Sequence, residues 1–265
     1  MNATGPAAND PGSPVLVVPG RTCGVGSGWG WITQAWGLFT RSAVMWIVAI
    51  VLFFLMHLAL GLIPLVGMFV ANIVSPIFMG GIMLGCRTLE TGGEMELDTL
   101  LAGFRRNTGN LAVLGVLYTV GQVVILLVFG LFVGMGFLMA LLKGDEMAMA
   151  AAFPVDLEEL WPFLAPFLLG TLVALALAVP LLAAYWFAPP LVMLHGMAPV
   201  QAMRESLFAA LRNFLPFLVY GIAMTVIFVI ATIPLLLGWF VAFPLLVASA
   251  YTSYRGVFTQ HEGDD

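Results

Sequence analysis

The sequence predicts an all-α polytopic membrane protein, with six transmembrane helices, short interfacial amphipathic helices and a three-unit internal repeat. Three observations carry this. Of 265 residues, 62% are hydrophobic and only 9% are charged, against about 45–50% and about 25% in soluble domains. The few charges are excluded from long stretches, and residues 110–142 contain none. Proline-bearing apolar segments also recur in the same order. A water-soluble fold cannot hide this much apolar surface. A cytoplasmic enzyme, a secreted disulfide scaffold and a disordered chain are thereby excluded.

Residues 1–28 read as a disordered tail, rich in Gly, Pro, Ala and Asn. Residues 1–13 lack Lys and Arg, and the apolar run at 15–18 is too short for a signal-peptide core. A bilayer core about 30 Å thick needs about 20 apolar helical residues. Spans are expected at 43–63, 65–86, 110–142, 162–194, 214–237 and 239–254, within a membrane domain covering 29–254. Residues 255–265 read as a C-terminal tail. The uncharged third span is too long for the bilayer, so it should project, tilt or break near Gly130, Gly134 and Gly136.

Arginine placement orients the spans. Arg21, Arg41, Arg87, Arg105, Arg106, Arg204, Arg212 and Arg255 share one side. The other holds Lys143 with Asp145, Glu146, Asp156, Glu158 and Glu159. Cytoplasmic loops are enriched in Lys and Arg, so both termini are expected in the cytoplasm of a bacterium, with the protein in its inner membrane. Trp29, Trp31, Trp36 and Trp46 fall at the inner interface, Trp161 and Trp239 at the outer one, where indole rings are favoured.

The repeat reading rests on proline pairs: Pro64 with Pro76, Pro180 with Pro190, and Pro234 with Pro244. Each unit starts with an amphipathic segment ending in Arg. The stripes are Trp29, Ile32, Trp36 and Phe39, then Leu97, Leu100, Leu101 and Phe104, then Val200, Met203, Leu207, Phe208 and Leu211. Such 3–4 spacing makes one apolar helix face, which lies in the membrane interface. The units run about 29–86, 96–195 and 198–254, the second enlarged by an outer insertion. Composition alone can also make apolar helices resemble one another.

Chemistry-bearing groups are sparse. No span carries Asp, Glu, Lys or Arg in its middle, which weakens a proton- or ion-coupled transporter. The mild intramembrane set is His57, Asn72, Ser75, Tyr118, Thr119, Gln122, Thr171, Tyr185 and Thr225. Of these, His57, Asn72 and Gln122 are the candidates. His57 is either a titrating group or, more commonly, a neutral ring bonded to a neighbouring helix. Cys23 and Cys86 fit no CxxC or His/Cys pattern, so no metal or other cofactor is expected. The run from Gly24 to Gly28 lacks the GK[ST] ending of a phosphate loop. No Ser/His/Asp set points to an enzyme, and a net charge of −5 argues against nucleic acid.

The densest segment is Tyr185-Trp186-Phe187-Ala188-Pro189-Pro190, followed by His195-Gly196, then Arg204-Glu205-Ser206 and Asn213. Here the chain resembles a family of uncharacterised bacterial six-span inner-membrane proteins. It is similar, more distantly, to YciC-like proteins and to the membrane domain fused to some glycerophosphodiester phosphodiesterases. The resemblance implies a topology and makes Trp186, Pro189, Pro190, His195, Arg204, Ser206 and Asn213 candidate motif residues. It implies no activity, since the soluble phosphodiesterase domain is absent. Two functions remain in view: a non-enzymatic protein acting through helix packing, with a membrane-protein partner or a second copy, or a small-solute or lipid transporter or channel.

Overall fold

The structure, a computed structural model, describes residues 15–64, 66–142 and 157–260. It is 82% helical. Helices α1 (Ser27–Arg41), α2 (Ala43–Gly61) and α3 (Val66–Glu90) come first. The short α4 (Leu97–Leu100) and a 3-10 turn (Ala102–Phe104) lead into α5 (Thr108–Leu142). Then follow α6 (Leu157–Trp186), α7 (Ala188–His195), α8 (Pro199–Arg212), α9 (Phe214–Thr232) and α10 (Trp239–Phe258). Two-residue strands β1 (Val15–Leu16) and β2 (Thr259–Gln260) pair antiparallel.

Among the described residues, five helical stretches are long and apolar enough to cross a bilayer: Ala43–Gly61, Val66–Glu90, Thr108–Gly134, Leu164–His195 and Phe214–Thr232. Their exposed faces are Leu, Val, Ile and Phe, which only lipid covers without cost. The sixth expected span forms α10 but does not meet the same measure. Its second half carries Ser249, Tyr251, Thr252, Ser253 and Tyr254, all buried by protein.

The chain divides into two compact units, 1–115 with 184–265, and 116–183. In the first, α1 packs along α10 and α9, and α3 along α7, α2 and the 97–104 segment. Its core is aromatic. Trp31 and Phe217 lie 5.2 Å apart, Trp186 and Tyr220 5.6 Å, and Phe187 and Phe258 5.3 Å, all tilted or edge-on. Such pairs contribute about 0.5–1.5 kcal/mol each beyond area burial. The second unit is an antiparallel helix pair. Gly121 meets Leu181, Phe129 lies 5.7 Å from Phe167, and Gly170 admits Phe132.

Several expectations change. Helix α5 runs unbroken through Gly130, Gly134 and Gly136 for 35 residues, about 52 Å at 1.5 Å per residue. A glycine costs a helix only about 1 kcal/mol, too little to break one this long. The stripe at 97–104 makes one helical turn and a 3-10 turn, not a continuous amphipathic helix, because Gly103 lies directly on the α3 backbone at Ile77. The tail reading of 1–28 fails from residue 15 onward, and that of 255–265 fails for 255–260. Val17 N–H donates to Phe258 O and Arg21 N–H to Val257 O, so the two ends of the chain strap each other. Residues 1–14 and most of the expected outer loop, 143–156, lie outside the described residues, as do the side chains of 157–163, Trp161 included.

Candidate functional site

The motif from Trp186 to Asn213 is built around a helix break. Helix α6 stops at Trp186, and Phe187 takes φ −97° and ψ −7° before α7 begins. Pro189 and Pro190 sit in the first turn of α7, where a missing N–H costs nothing. The Phe187 N–H, left over by the break, donates to Ser206 Oγ of α8 at 3.0 Å. Gly196 closes α7 in the left-handed conformation, φ +65°, which glycine adopts without a Cβ penalty. The prolines therefore end one helix and start another.

The other motif side chains tie this break to α10 and to the chain's beginning. Trp186 Nε1 donates to Ser253 Oγ at 3.1 Å. His195 Nε2 hydrogen-bonds the Tyr254 hydroxyl. Asn213, fully buried between α8 and α9, makes three bonds. Its Oδ1 accepts from Cys23 N–H at 2.7 Å, and its Nδ2 donates to Arg21 O at 3.1 Å and Ala209 O at 2.9 Å. Arg204 is not drawn in. It is exposed, with its guanidinium 5.9 Å from the Phe208 ring.

The intramembrane candidates sit on three different helices, α2, α3 and α5. His57 on α2 has Nδ1 2.9 Å from Phe53 O and Nε2 3.1 Å from Ser75 Oγ on α3. Ser75 Oγ–H donates to Ala71 O at 2.7 Å, and its contact with the His57 ring is a side-chain tie between α2 and α3. Asn72 on α3 and Gln122 on α5 are half-buried, and each has an interaction partner.

Sequence reasoning missed a second polar cluster. Arg255 near the end of α10 pairs with Glu90 at the end of α3 and with Gln34 of α1. Tyr251 O–H donates to Glu90 Oε2 at 2.6 Å, and Thr252 Oγ1 to Trp31 O at 2.8 Å. The partners are separated by 161 to 221 positions, so no local spacing could pair them. A lone acid and a lone arginine at span ends were the signal available. Burial lowers the Arg255 pKa from its ordinary value, with Arg21 adding to the effect.

Cysteine chemistry follows from the same packing. The Cys23 Sγ–H donates to Gly256 O at 3.4 Å. Burial raises its pKa above the ordinary thiol range, with nearby Arg21 pulling the other way. At pH 8 less of it is thiolate, the reactive form, so maleimide should label Cys23 several-fold more slowly than a cysteine placed at exposed Gly24. Equal rates would show that the strap is open in solution. Cys86 is wholly buried and should stay unlabelled until unfolding.

Fold and surface together define an all-α polytopic membrane protein. The chain is similar to a Burkholderia thailandensis protein named "probable inner membrane protein", at 28% identity over 260 residues, covering 89% of this chain and 92% of that one. No family model matches it, and no solved structure matches it.

Proposed function

We propose that the protein is a non-enzymatic inner-membrane protein with both termini in the cytoplasm. It holds a rigid helical platform on which a membrane-protein partner, or a second copy, docks. One observation carries this. Trp186, His195, Ser206 and Asn213 all spend polar atoms on internal ties, so the densest motif organises packing. The 28% identical relative's name supports the inner-membrane assignment, and the three-unit repeat belongs to the same reading. The likeness to YciC-like proteins and to phosphodiesterase-linked membrane domains is then one of topology.

Crosslinking at native expression tests the platform: one stoichiometric adduct is expected, to a membrane protein or to itself. Uniformly monomeric protein, together with solute uptake lost on gene deletion, would favour the transporter reading. Orientation is tested separately with a cysteine at exposed Arg204, which should resist an impermeant thiol reagent in intact cells and react after lysis. Labelling from outside would reverse the topology.

A further inference from the structure

Two grooves open side by side in the first unit, at the end where α1 meets α2 and α3 ends. The larger, about 750 Å³, is lined by residues including Arg41, Ser42, Met45, Glu90, Thr91 and Glu94. The smaller, about 380 Å³, shares Arg41 and Glu90 with it and adds Gln34 and Arg255. Sites for small ligands run from about 300 to 1,000 Å³. The charges in the grooves are of two kinds. Glu90 and Arg255 neutralise each other, and Tyr251 further satisfies Glu90. Arg41 uses one Nη1–H on Leu89 O at 3.0 Å. Its side chain is exposed, and among the described residues it forms no ion pair. Glu94 is likewise exposed and makes no ion pair among the described residues. Among the described residues, one groove therefore presents a cation and an anion that form no ion pair.

Position restricts what can meet them. Arg41 ends the amphipathic helix α1, and span α2 starts two residues later. Met45, which lines the groove, is followed by half-buried Val48 and Leu52 along the same face of α2, spaced as one helical stripe. An apolar track beside a polar groove at the start of a span fits an amphiphile with its headgroup in the groove. A purely anionic headgroup would face Glu94, and a purely cationic one Arg41.

We propose that this groove binds a zwitterionic aminophospholipid, with the phosphate on the Arg41 guanidinium, the primary ammonium on Glu94 and an acyl chain along α2. The planar guanidinium suits phosphate oxygens, and a primary ammonium retains three donors for a carboxylate. This inference stands whether or not a protein partner docks.

The test uses the full-length protein in non-ionic detergent, with binding read by native mass spectrometry. The probes are short-chain phosphatidylethanolamine, phosphatidylcholine and phosphatidylglycerol, and inorganic phosphate. Phosphatidylethanolamine should bind about tenfold tighter than the other two lipids, and excess inorganic phosphate should not displace it. R41A should lose about tenfold in affinity for all three, and R41K, which keeps the charge, should lose less. E94Q should erase the preference for ethanolamine over choline while leaving phosphatidylcholine binding unchanged. Wild-type affinity in folded R41A, or an unchanged ethanolamine preference in E94Q, would overturn the proposal. So would equal binding of the three lipids. Displacement by inorganic phosphate would also overturn it, assigning the groove to a soluble phosphate.

Discussion

Asn213→Ala should release the N-terminal strap. The substitution removes an acceptor for Cys23 N–H and donors to Arg21 O and Ala209 O. Each polar group left unpaired costs about 1–3 kcal/mol. A net loss of about 3 kcal/mol raises the population of the opened strap about a hundredfold. Cleavage of a locally opened segment follows that population when closing outpaces cutting. Trypsin should then cut after Arg21 far faster than in the wild type, where Arg21 N–H donates to Val257 O and Nε to Gly256 O. Cutting after exposed Arg204 should not change. Asn213→Asp keeps the acceptor for Cys23 but loses both donors, so it should fall between. If trypsin cuts Asn213→Ala and wild type alike, Asn213 does not hold the strap.

The second large effect is steric. A methyl group on Gly81 of α3 would lie 1.8 Å from Leu100 O, and one on Gly103 would lie 1.8 Å from Ile77 O. Both clashes are with backbone, which cannot swing aside as a side chain can. The two glycines let α3 and the 97–104 segment touch main chain to main chain. Either Gly81→Ala or Gly103→Ala should separate them, at a cost above the usual overpacking range of about 1–3 kcal/mol. The folded fraction surviving detergent extraction and size-exclusion chromatography should drop sharply. Gly37→Ala is the control: nothing lies within 4 Å of the added methyl, and alanine favours a helix. Equal yields for all three variants would show that the 97–104 segment is not docked as described.

These two sites also mark how far the sequence could be read. The spans were legible because lipid imposes a local rule: every exposed backbone group must bond within its own helix, and every exposed side chain must be apolar. That rule acts residue by residue, so α2, α3, α5, α6 and α9 follow from hydropathy alone. The amphipathic stripes at 29–39 and 200–211 were legible for a similar reason, since helical period is a local property, and both became helices, α1 and α8. The stripe at 97–104 has the same period yet made only one helical turn and a 3-10 turn. There a close backbone approach at Gly103 overrode it.

The motif residues were legible as a group and not as roles. Trp186, Ser206 and Asn213 stood out by type and density, but their partners lie 67, 19 and 190 positions away. The same distance hid Glu90, Tyr251 and Arg255. A pattern of period 2, 3.6 or 7 carries no information across such separations.

The sequence by itself therefore determined the solvent: a chain that is 62% hydrophobic and 9% charged folds as apolar helices in lipid. Tertiary structure alone decided which polar groups meet. It turned the expected tails into a strap closed on Asn213. It buried the polar second half of the last predicted span, Ser249 to Tyr254, against protein, and it set Arg41 and Glu94 in one groove. Hydrophobic burial is non-directional and sums along the chain, so composition records it. A hydrogen bond or ion pair depends on two groups reaching contact distance, which only the folded path brings about.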